Sequence, residues 1–479
     1  MSTLARTKGR PRRSRVDRAT TVWMIIAAIL VVYTVAFGGS LPQQWWLVVH
    51  VVTLGVLTNA ILQWSWYFTR SLLRLKAEDR HAGTHQTIRV VFFNLGVVGL
   101  VAAMIVSNTA GAVVAAAVIG AVILWHLLAL VLASRTALGA RFAVIVRYYV
   151  SAAAMLAIGI IYGAFDVVAL TSPSSPATLV QMSNNLTVAH FLLNALGFVG
   201  LTIAGTLVTL GPTALRTRMD PDAVPRAVRA LPFLVASVLG AAASTTFGMQ
   251  RLAGVFVLVY LAALVAGIGV SLAHAVRRKG LNDYATWSFA LGAVWSVAGL
   301  GWLAGVLFSS GFGAGFGIDF DAGAGAAVRE SMRLIVAVIG IGGVLQILIG
   351  ALSYLLPVVV GGGPSVVKQG ILAIEAGSGM RLAARNSALL AAVLVVLGGL
   401  NVPGVGVVGA FAAIVGAAYF MDIVGFAQAG VAQARAKRAR TAQARAKQAT
   451  AKGATSAARA EAAQAGGAQA GGAQQRRTK

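Results

Sequence analysis

The chain has six histidines and no cysteine, so its means of binding a metal are few. The absence of cysteine excludes disulfides, thiolate metal sites, iron–sulfur clusters, covalently attached c-type haem and cysteine nucleophiles. Any metal would be held by histidine, methionine, carboxylate or backbone oxygen. His50 and His190 are the strongest candidates, because each falls a few residues inside an apolar run long enough to cross a membrane.

These two histidines share a depth in their predicted helices. His50 lies about six residues into the second apolar run and His190 about five into the sixth. At about 1.5 Å rise per residue, both are about 8 Å below the start of their helices. Neutral imidazole binds haem iron or copper well, and two helices can hold a haem through one histidine each. The pair predicts a haem b or copper site, with an interhelical hydrogen bond from each histidine as the plain alternative.

Three further residues are secondary candidates. Met182 precedes the sixth run and Met249 lies in the short loop after the seventh, where thioether and imidazole together would suit copper(I). Methionine is also a flexible filler of apolar packing. His126, in the inner half of the fourth run, is a further ligand candidate. The remaining histidines lie in or beside basic segments that disfavour a cation: His81, His85 and His274.

The composition is that of a membrane protein. Of the 479 residues, 58% are hydrophobic and only 11% are charged, whereas soluble domains have roughly 25% charged residues. Runs of roughly 20 apolar residues cross lipid as helices, because lipid cannot satisfy free backbone groups. We predict an all-α polytopic membrane protein with about twelve transmembrane helices, at residues 20–38, 44–68, 88–107, 111–133, 144–165, 185–211, 228–247, 252–275, 285–309, 333–360, 386–402 and 404–425.

Lysine and arginine alternate between the predicted loops. The N-terminal segment and the loops after even-numbered spans carry them, including Arg381 and Arg385 after the tenth span. Loops 39–43, 108–110 and 166–184 carry none. Because basic residues collect in cytoplasmic loops, we predict a plasma-membrane protein with both termini in the cytoplasm. The same rule accounts for the net charge of +26, so the expected partner is the lipid bilayer and not nucleic acid.

Three regions follow from this map: a basic N-terminal segment at 1–19, a membrane domain at 20–427, and a basic tail at 428–479. The tail repeats the hexapeptide AQARAK at Ala432–Lys437 and Ala442–Lys447. Low complexity, high charge and a lack of aromatic residues prevent a buried core. We expect a disordered or surface-helical cytoplasmic tail that is attracted to anionic lipid.

An internal repeat links distant spans. Gly205–Pro212 and Gly350–Pro357, in the sixth and tenth spans, share the pattern G-[TA]-L-x-x-L-x-P. The second span runs in the same direction and, like the sixth, has a histidine near its start. Spans 2, 6 and 10 are therefore predicted to be equivalent members of three four-helix repeats. Chance similarity between apolar helices is the alternative.

Segments 50–59, 190–218 and 346–364 carry a resemblance to known membrane proteins. They look like the membrane portion that precedes the cupredoxin domains of actinobacterial multicopper oxidase or nitrite reductase-like proteins. More distantly, twelve spans in three four-helix arcs resemble subunit I of the haem–copper oxidases and the related haem- and copper-containing membrane proteins of nitric oxide response. The resemblance implies a haem b or copper cofactor and an exported copper oxidase or nitrite reductase as partner.

The sequence also departs from the oxidase pattern. Subunit I would require paired histidines on the seventh span and more on the tenth, and neither 228–247 nor 333–360 contains histidine. We therefore expect no oxygen- or nitric-oxide-reducing centre. The expectation is a haem- or copper-binding protein of copper or nitrogen-oxide metabolism, an oxidoreductase component at most and not an independent catalyst. The alternatives are a secondary transporter of a small solute or metal, or a non-catalytic assembly partner.

Overall fold

A computed structural model describes residues 17–37, 41, 43–75, 83–135, 142–310, 322–398 and 406–475. The predicted basic residues of 1–16, His81 and the Gly-rich loop 311–321 lie outside these residues. Thirteen helices make up the described chain: α1 Asp17–Ala36, α2 Gln44–Leu72, α3 Thr84–Ile105, α4 Thr109–Arg135, α5 Ala143–Thr171, α6 Ala177–Ala214, α7 Ala223–Thr246, α8 Gln250–Lys279, α9 Tyr284–Ser310, α10 Ala324–Val360, α11 Pro364–Glu375, α12 Ser378–Leu397 and α13 Gly406–Gln475.

The helices confirm the prediction of an all-α polytopic membrane protein. Among the described residues, eleven helices are long and apolar enough to cross a membrane, and no strand is present. Helix α1 has a shorter apolar stretch, Ala19–Thr34, and is the twelfth candidate. Large apolar side chains such as Phe92, Leu95 and Val294 remain exposed along these helices, as a lipid-facing surface requires.

The described chain forms two compact parts. The first comprises the described residues up to Gly280 together with Ala290–Val344. The second comprises Leu281–Phe289 and the described residues from Leu345 onwards. Helices α9 and α10 each contribute residues to both parts.

Three helices of the predicted repeat share an irregularity. A π-helical segment interrupts α2 at Val51–Thr58, α6 at Leu192–Gly200 and α10 at Val338–Leu345. In α6 and α10 the segment ends five residues before the glycine that opens the shared motif. Segments of this kind are rare and recur at functional sites. A fourth segment of this kind lies in α8 at Val265–Gly269, so the support for the repeat comes from the equal spacing between segment and motif in α6 and α10.

Each of these segments contains a glycine that lets the helix approach its neighbour. A Cβ added at Gly55 would come within 2.7 Å of the Trp23 ring on α1. A Cβ at Gly197 would lie 2.7 Å from Met155 Cβ on α5, and one at Gly343 would lie 2.5 Å from Ser296 Oγ on α9. The second helix of each repeat therefore packs on the first through a glycine, the close contact typical of membrane helices. The π-helical segment of α8 packs in the same way, with Gly267 against Ala230 Cβ on α7.

An arginine recurs near the start of the third helix of each repeat. Arg89 on α3 donates to His126 on α4 at 3.3 Å, Arg226 on α7 to Ser271 on α8 at 3.1 Å, and Arg381 on α12 to Asp422 on α13 at 2.6 Å. In every case the partner lies on the fourth helix of the same repeat. These contacts tie helices three and four together through a polar bond that lipid cannot replace.

The predicted tail is helical, and its start is docked. Helix α13 continues without a break across the predicted boundary at 427/428 and reaches Gln475. Gln433 Nε2 donates to the carbonyl oxygens of Pro357 at 2.6 Å and Gly361 at 3.0 Å, and Lys437 Nζ donates to that of Val360 at 2.7 Å. The first AQARAK copy thus caps the free carbonyls at the end of α10. The second copy is fully exposed.

The glycine contacts predict a stability difference between two alanine variants. Gly197→Ala would place its methyl group against Met155 Cβ, which cannot swing away as a side-chain end would. We expect a loss of about 1–3 kcal/mol in the free energy of unfolding, seen as a lower thermal midpoint in detergent. Gly301→Ala on α9 is the matched control, because a Cβ there meets nothing within 4 Å. Equal midpoints for the two variants would contradict this packing.

Candidate functional site

His50 and His190 lie together in the first compact part. Their ring centroids are 6.1 Å apart and their planes differ by 26°. Two imidazoles on opposite sides of one metal ion would have centroids about 6 Å apart, given metal–nitrogen distances of about 2 Å. The ring of Trp46, one turn before His50, stacks on His50 at 4.0 Å. The structure therefore brings together the two histidines that the sequence singled out.

Hydrogen bonds define the tautomer of both rings. His50 Nδ1 lies 2.9 Å from the carbonyl oxygen of Trp46, and His190 Nδ1 lies 2.7 Å from that of Gly159 on α5. A carbonyl oxygen can only accept, so Nδ1 carries the proton in each ring. In the neutral imidazole the lone pair then resides on Nε2. This is the arrangement that metal-binding histidines show, with one nitrogen fixed by the protein and the other free to bind.

His190 packs against two glycines of α5, Gly159 and Gly163. A Cβ at Gly163 would come within 2.7 Å of His190 Cε1 and 2.9 Å of Nδ1, but 3.7 Å from Nε2. The Nδ1–Cε1 edge of the ring therefore packs on α5, and Nε2 is turned farther from it. Asn194 Nδ2 lies 3.2 Å from Nδ1 and 3.1 Å from Nε2. If the Asn194 amide nitrogen lay in the plane of the ring at these two distances, it would overlap Cε1. It therefore lies over the face of the His190 ring.

An acidic residue on α5 lies one helical turn beyond the contact with His190, on the side where α2 and α6 begin. Asp166 follows Gly163 by three residues on α5, and its Oδ2 accepts a 2.8 Å hydrogen bond from Thr187, three residues before His190. Its Oδ1 is buried and has no hydrogen-bond partner among the described residues. Its position places a carboxylate one helical turn from the contact between α5 and His190.

The two methionine candidates remain predictions. Met182 lies eight residues before His190 on α6, which is about 12 Å along the helix axis. Met249 lies in the turn immediately before α8. Both side chains are half-buried. A separation of two turns makes a metal shared by Met182 and His190 unfavourable. Within the described residues, no group of three or more histidine, aspartate or glutamate side chains is positioned to hold a metal.

His126 is placed away from the histidine pair, in a polar cluster of its own. Its Nδ1 accepts from Arg89 at 3.3 Å, and its Nε2 therefore donates to Ser65 Oγ at 3.0 Å. Both ring nitrogens are occupied by these bonds. A cavity of about 10 Å³, room for a single water molecule, adjoins His126 and is lined by Ile61, Leu62, Ser65, Ile123, Tyr149, Ala153, Leu156, Phe198 and Thr202. The geometry favours a structural role for this histidine.

The second compact part contains a buried ion cluster that sequence analysis placed wrongly. Arg381 and Arg385 were predicted in a cytoplasmic loop, but both lie in helix α12 and are buried. Arg381 Nε contacts Asp422 Oδ1 at 2.6 Å, and Arg385 Nη1 contacts Asp422 Oδ2 at 2.5 Å. The error arose because charged residues were assumed to lie outside the spans. A carboxylate on α13 allows them to lie inside.

Further contacts balance the second positive charge of this arginine–aspartate cluster. Arg381 donates to the carbonyl oxygens of Ile374 and Ala376, at the negative end of the α11 dipole. Arg385 donates to Gln346 Oε1 at 2.7 Å and lies over the rings of Tyr284 and Tyr419. The cluster therefore needs no ligand. It holds α10, α11, α12 and α13 in a fixed arrangement.

This cluster predicts a large stability effect. Asp422→Asn leaves two buried guanidinium groups without their carboxylate, so we expect a loss of about 3–5 kcal/mol in the free energy of unfolding. The double variant Arg385→Gln/Asp422→Asn removes one of those charges and should lose less than the sum of its single variants. Thermal unfolding of the four proteins in detergent measures this coupling. Strict additivity would show that the pair does not interact.

A second aspartate lies in the loop between α6 and α7. Burial of Asp220 opposes its ionisation, but hydrogen bonds from Arg226 and from the Asp222 backbone amide outweigh it. The nearby charges of Arg226 and His274 act in the same direction. The pKa of Asp220 is therefore lower in the folded protein than its ordinary value.

This shift predicts a pH dependence of stability. A lowered pKa stabilises the fold above the unfolded value of about 3.9, and the contribution is lost as the pH falls through the folded value. Asp220→Asn should lower the thermal midpoint at pH 7, and its difference from wild type should shrink on acidification. Asp222→Asn is the control, since that side chain is 69% exposed. A difference that stays constant from neutral to acid pH would contradict the assignment.

No protein-family model matches the chain, and no curated protein sequence is significantly similar to it.

Proposed function

We propose that the chain is a membrane metal-binding protein that holds a copper ion between His50 and His190. The observation that carries the proposal is the shared tautomer: both rings give their Nδ1 proton to a backbone carbonyl, which leaves the lone pair on Nε2. Two neutral imidazoles suit copper, and a centroid separation of 6.1 Å suits one ion between them. Two ligands fall short of the three or four protein ligands of typical zinc sites.

Haem b is the other occupant that this donor set permits. Two histidines from different helices are an ordinary axial pair for haem iron. A bare ion needs only the space between the rings, whereas a haem also needs a flat slot for its macrocycle. Trp46 stacks on His50, and Asn194 lies over His190, so both rings already have a packed face. This packing favours the ion.

The surrounding residues prepare the site for a cation. The carbonyl oxygens of Trp46 and Gly159 accept the Nδ1 protons, so Nε2 of each ring carries the lone pair that would bind the ion. Gly163 leaves room for His190 to pack on α5, and Asp166 places a carboxylate one helical turn away. A bound metal would supply ligand exchange or one-electron transfer. The proposed orientation follows from the basic loops: the histidine pair faces outward across the plasma membrane, and both termini lie in the cytoplasm.

The proposed biological setting is copper or nitrogen-oxide metabolism. An outward copper site without a catalytic centre suits electron transfer to, or metal supply for, an exported copper oxidase or nitrite reductase. The resemblance of segments 50–59, 190–218 and 346–364 supports this setting. The expected role is that of an oxidoreductase component and not of an independent catalyst.

Metal binding by purified variants tests the proposal. Wild type should bind about one copper per chain, and His50→Ala or His190→Ala should weaken binding about a hundredfold or more, because each removes one of two ligands. His274→Ala is the matched control and should bind as wild type does. Copper analysis, with an anaerobic competition titration against a copper(I) chelator, gives the affinities.

A visible spectrum separates the two cofactors. A Soret band that disappears in both histidine variants would replace copper by haem b at the same residues. Neither bound copper nor a Soret band in wild type, or equal binding in all four proteins, would refute the metal site.

A secondary transporter is a second candidate, favoured by the three repeats with interrupted helices. Broken helices near the bilayer midplane form the substrate sites of several transporter folds. Uptake of a small solute into proteoliposomes that is unchanged in His50→Ala would support it. Such a result together with absent metal binding would favour transport over the metal site.

A further inference from the structure

Arg89 differs from the two arginines that occupy equivalent places in the other repeats. Arg226 pairs with Asp220, and Arg381 pairs with Asp422. Arg89 is only 2% exposed, yet its one described hydrogen bond goes to the neutral His126. A buried guanidinium without an anion is costly, most of all within a membrane protein. Among the described residues, Arg89 has no carboxylate partner, unlike its two counterparts.

The unused part of Arg89 is one edge of its guanidinium group. Nη1 bonds to His126, whereas Nε and Nη2 are buried and have no partner among the described residues. The N–H bonds of Nε and Nη2 point the same way and form the two-pronged donor that binds two oxygens of one anion. Trp66 and Trp125 lie over the group at 4.9 and 5.8 Å and partly compensate its charge. Aromatic faces do not accept these in-plane donors.

Other unsatisfied donors lie on the face of α2 that meets α3. Within the part of the chain that the structure describes, three buried atoms on this face have no partner: Trp66 Nε1, Thr69 Oγ1 and Arg70 Nε. Thr69 is 0% exposed. The three residues lie within one helical turn of each other. Contact between this face and α3 is shown by Arg89 over Trp66 and by Gln86 Nε2, which donates to the Leu62 carbonyl oxygen at 3.1 Å.

We propose that Arg89, Trp66, Thr69 and Arg70 bind a phosphate group, from an anionic phospholipid or as the free ion. The positive charge of Arg89 calls for an anionic ligand. Its parallel Nε and Nη2 donors match two oxygens of a single oxyanion. A tetrahedral phosphate presents oxygens in more directions than a planar carboxylate, which suits donors from two helices. Arg70 lies two residues before the end of α2, at the level where lipid headgroups meet helix ends.

Thermal unfolding of the full chain tests this site with two probes. One series uses nanodiscs of phosphatidylcholine with or without phosphatidylglycerol, and the other uses detergent with or without inorganic phosphate. At least one probe should raise the thermal midpoint of wild type. Arg89→Lys keeps the charge but loses the two-pronged edge, so its apparent affinity for that probe should fall about tenfold or more. Arg147→Lys, at an exposed arginine near the start of α5, is the control and should retain the full rise.

Thr69→Val keeps the proposal testable if Arg89→Lys fails to fold. Without a ligand, replacing an unsatisfied buried hydroxyl by a methyl group should stabilise the protein equally in every medium. With a ligand, Thr69→Val should reduce the rise caused by the active probe. A rise from phosphatidylglycerol alone assigns the site to lipid, and a rise from inorganic phosphate assigns it to the free ion.

Two results would overturn the proposal. The first is a wild-type midpoint that neither probe raises, together with uniform stabilisation by Thr69→Val. The second concerns Glu78 and Asp79, which lie between α2 and α3 in sequence but outside the described residues. If Glu78→Gln or Asp79→Asn destabilises the protein and no probe affects wild type, a carboxylate of the chain itself neutralises Arg89.

Discussion

A charged or strongly polar group inside a membrane helix must find its partner within the protein, because lipid offers none. This constraint governs the architecture of the chain. Arg381, Arg385 and Asp422 satisfy one another and thereby fix four helices of the second compact part. The amide pairs Asn59–Asn94 and Gln346–Asn386 do the same between the second and third helices of their repeats. Hydrophobic burial drives none of this association, since lipid is as apolar as the helices.

The histidine pair obeys the same constraint in a different way. Each ring donates its Nδ1 proton to a backbone carbonyl, so the lone pair lies on Nε2. In His190 the amide nitrogen of Asn194 lies 3.1 Å from Nε2. At Arg89 an entire edge of the guanidinium group is left over. Within the described residues, most of the buried polar atoms that lack a partner lie around these two places: Asp166 Oδ1 and Asn194 Oδ1 near the histidines, and Trp66 Nε1, Thr69 Oγ1 and Arg70 Nε near Arg89. Because an unpaired buried polar atom is costly, these atoms are candidates for ligand binding.

Sequence reasoning could predict much of this fold and part of the site. Apolar runs located the helices, and the equal depth of His50 and His190 anticipated their contact. The paired arginines of α12 were missed, because a rule that assigns charge to loops cannot foresee a carboxylate from a helix forty residues later. Arg89 was missed for a related reason: its isolation becomes visible only when Trp66, Trp125 and His126 are seen around it. The contact between the start of the tail and α10 was also missed, because composition alone does not show that Gln433 and Lys437 bond to the last carbonyl groups of α10.

The π-helical segment of α2 has a geometric consequence for that helix. A wider turn holds an extra residue, which rotates all later side chains about the axis relative to an uninterrupted α-helix. His50, before the segment, is aimed at α6, and Asn59, just after it, is aimed at α3. Deleting one residue from Val51–Thr58 would restore regular winding and turn one of these side chains away from its neighbour. Helix α2 therefore contacts α6 and α3 with side chains whose spacing does not fit one regular helical period. A sequence pattern based on a constant period of about 3.6 residues would miss this change.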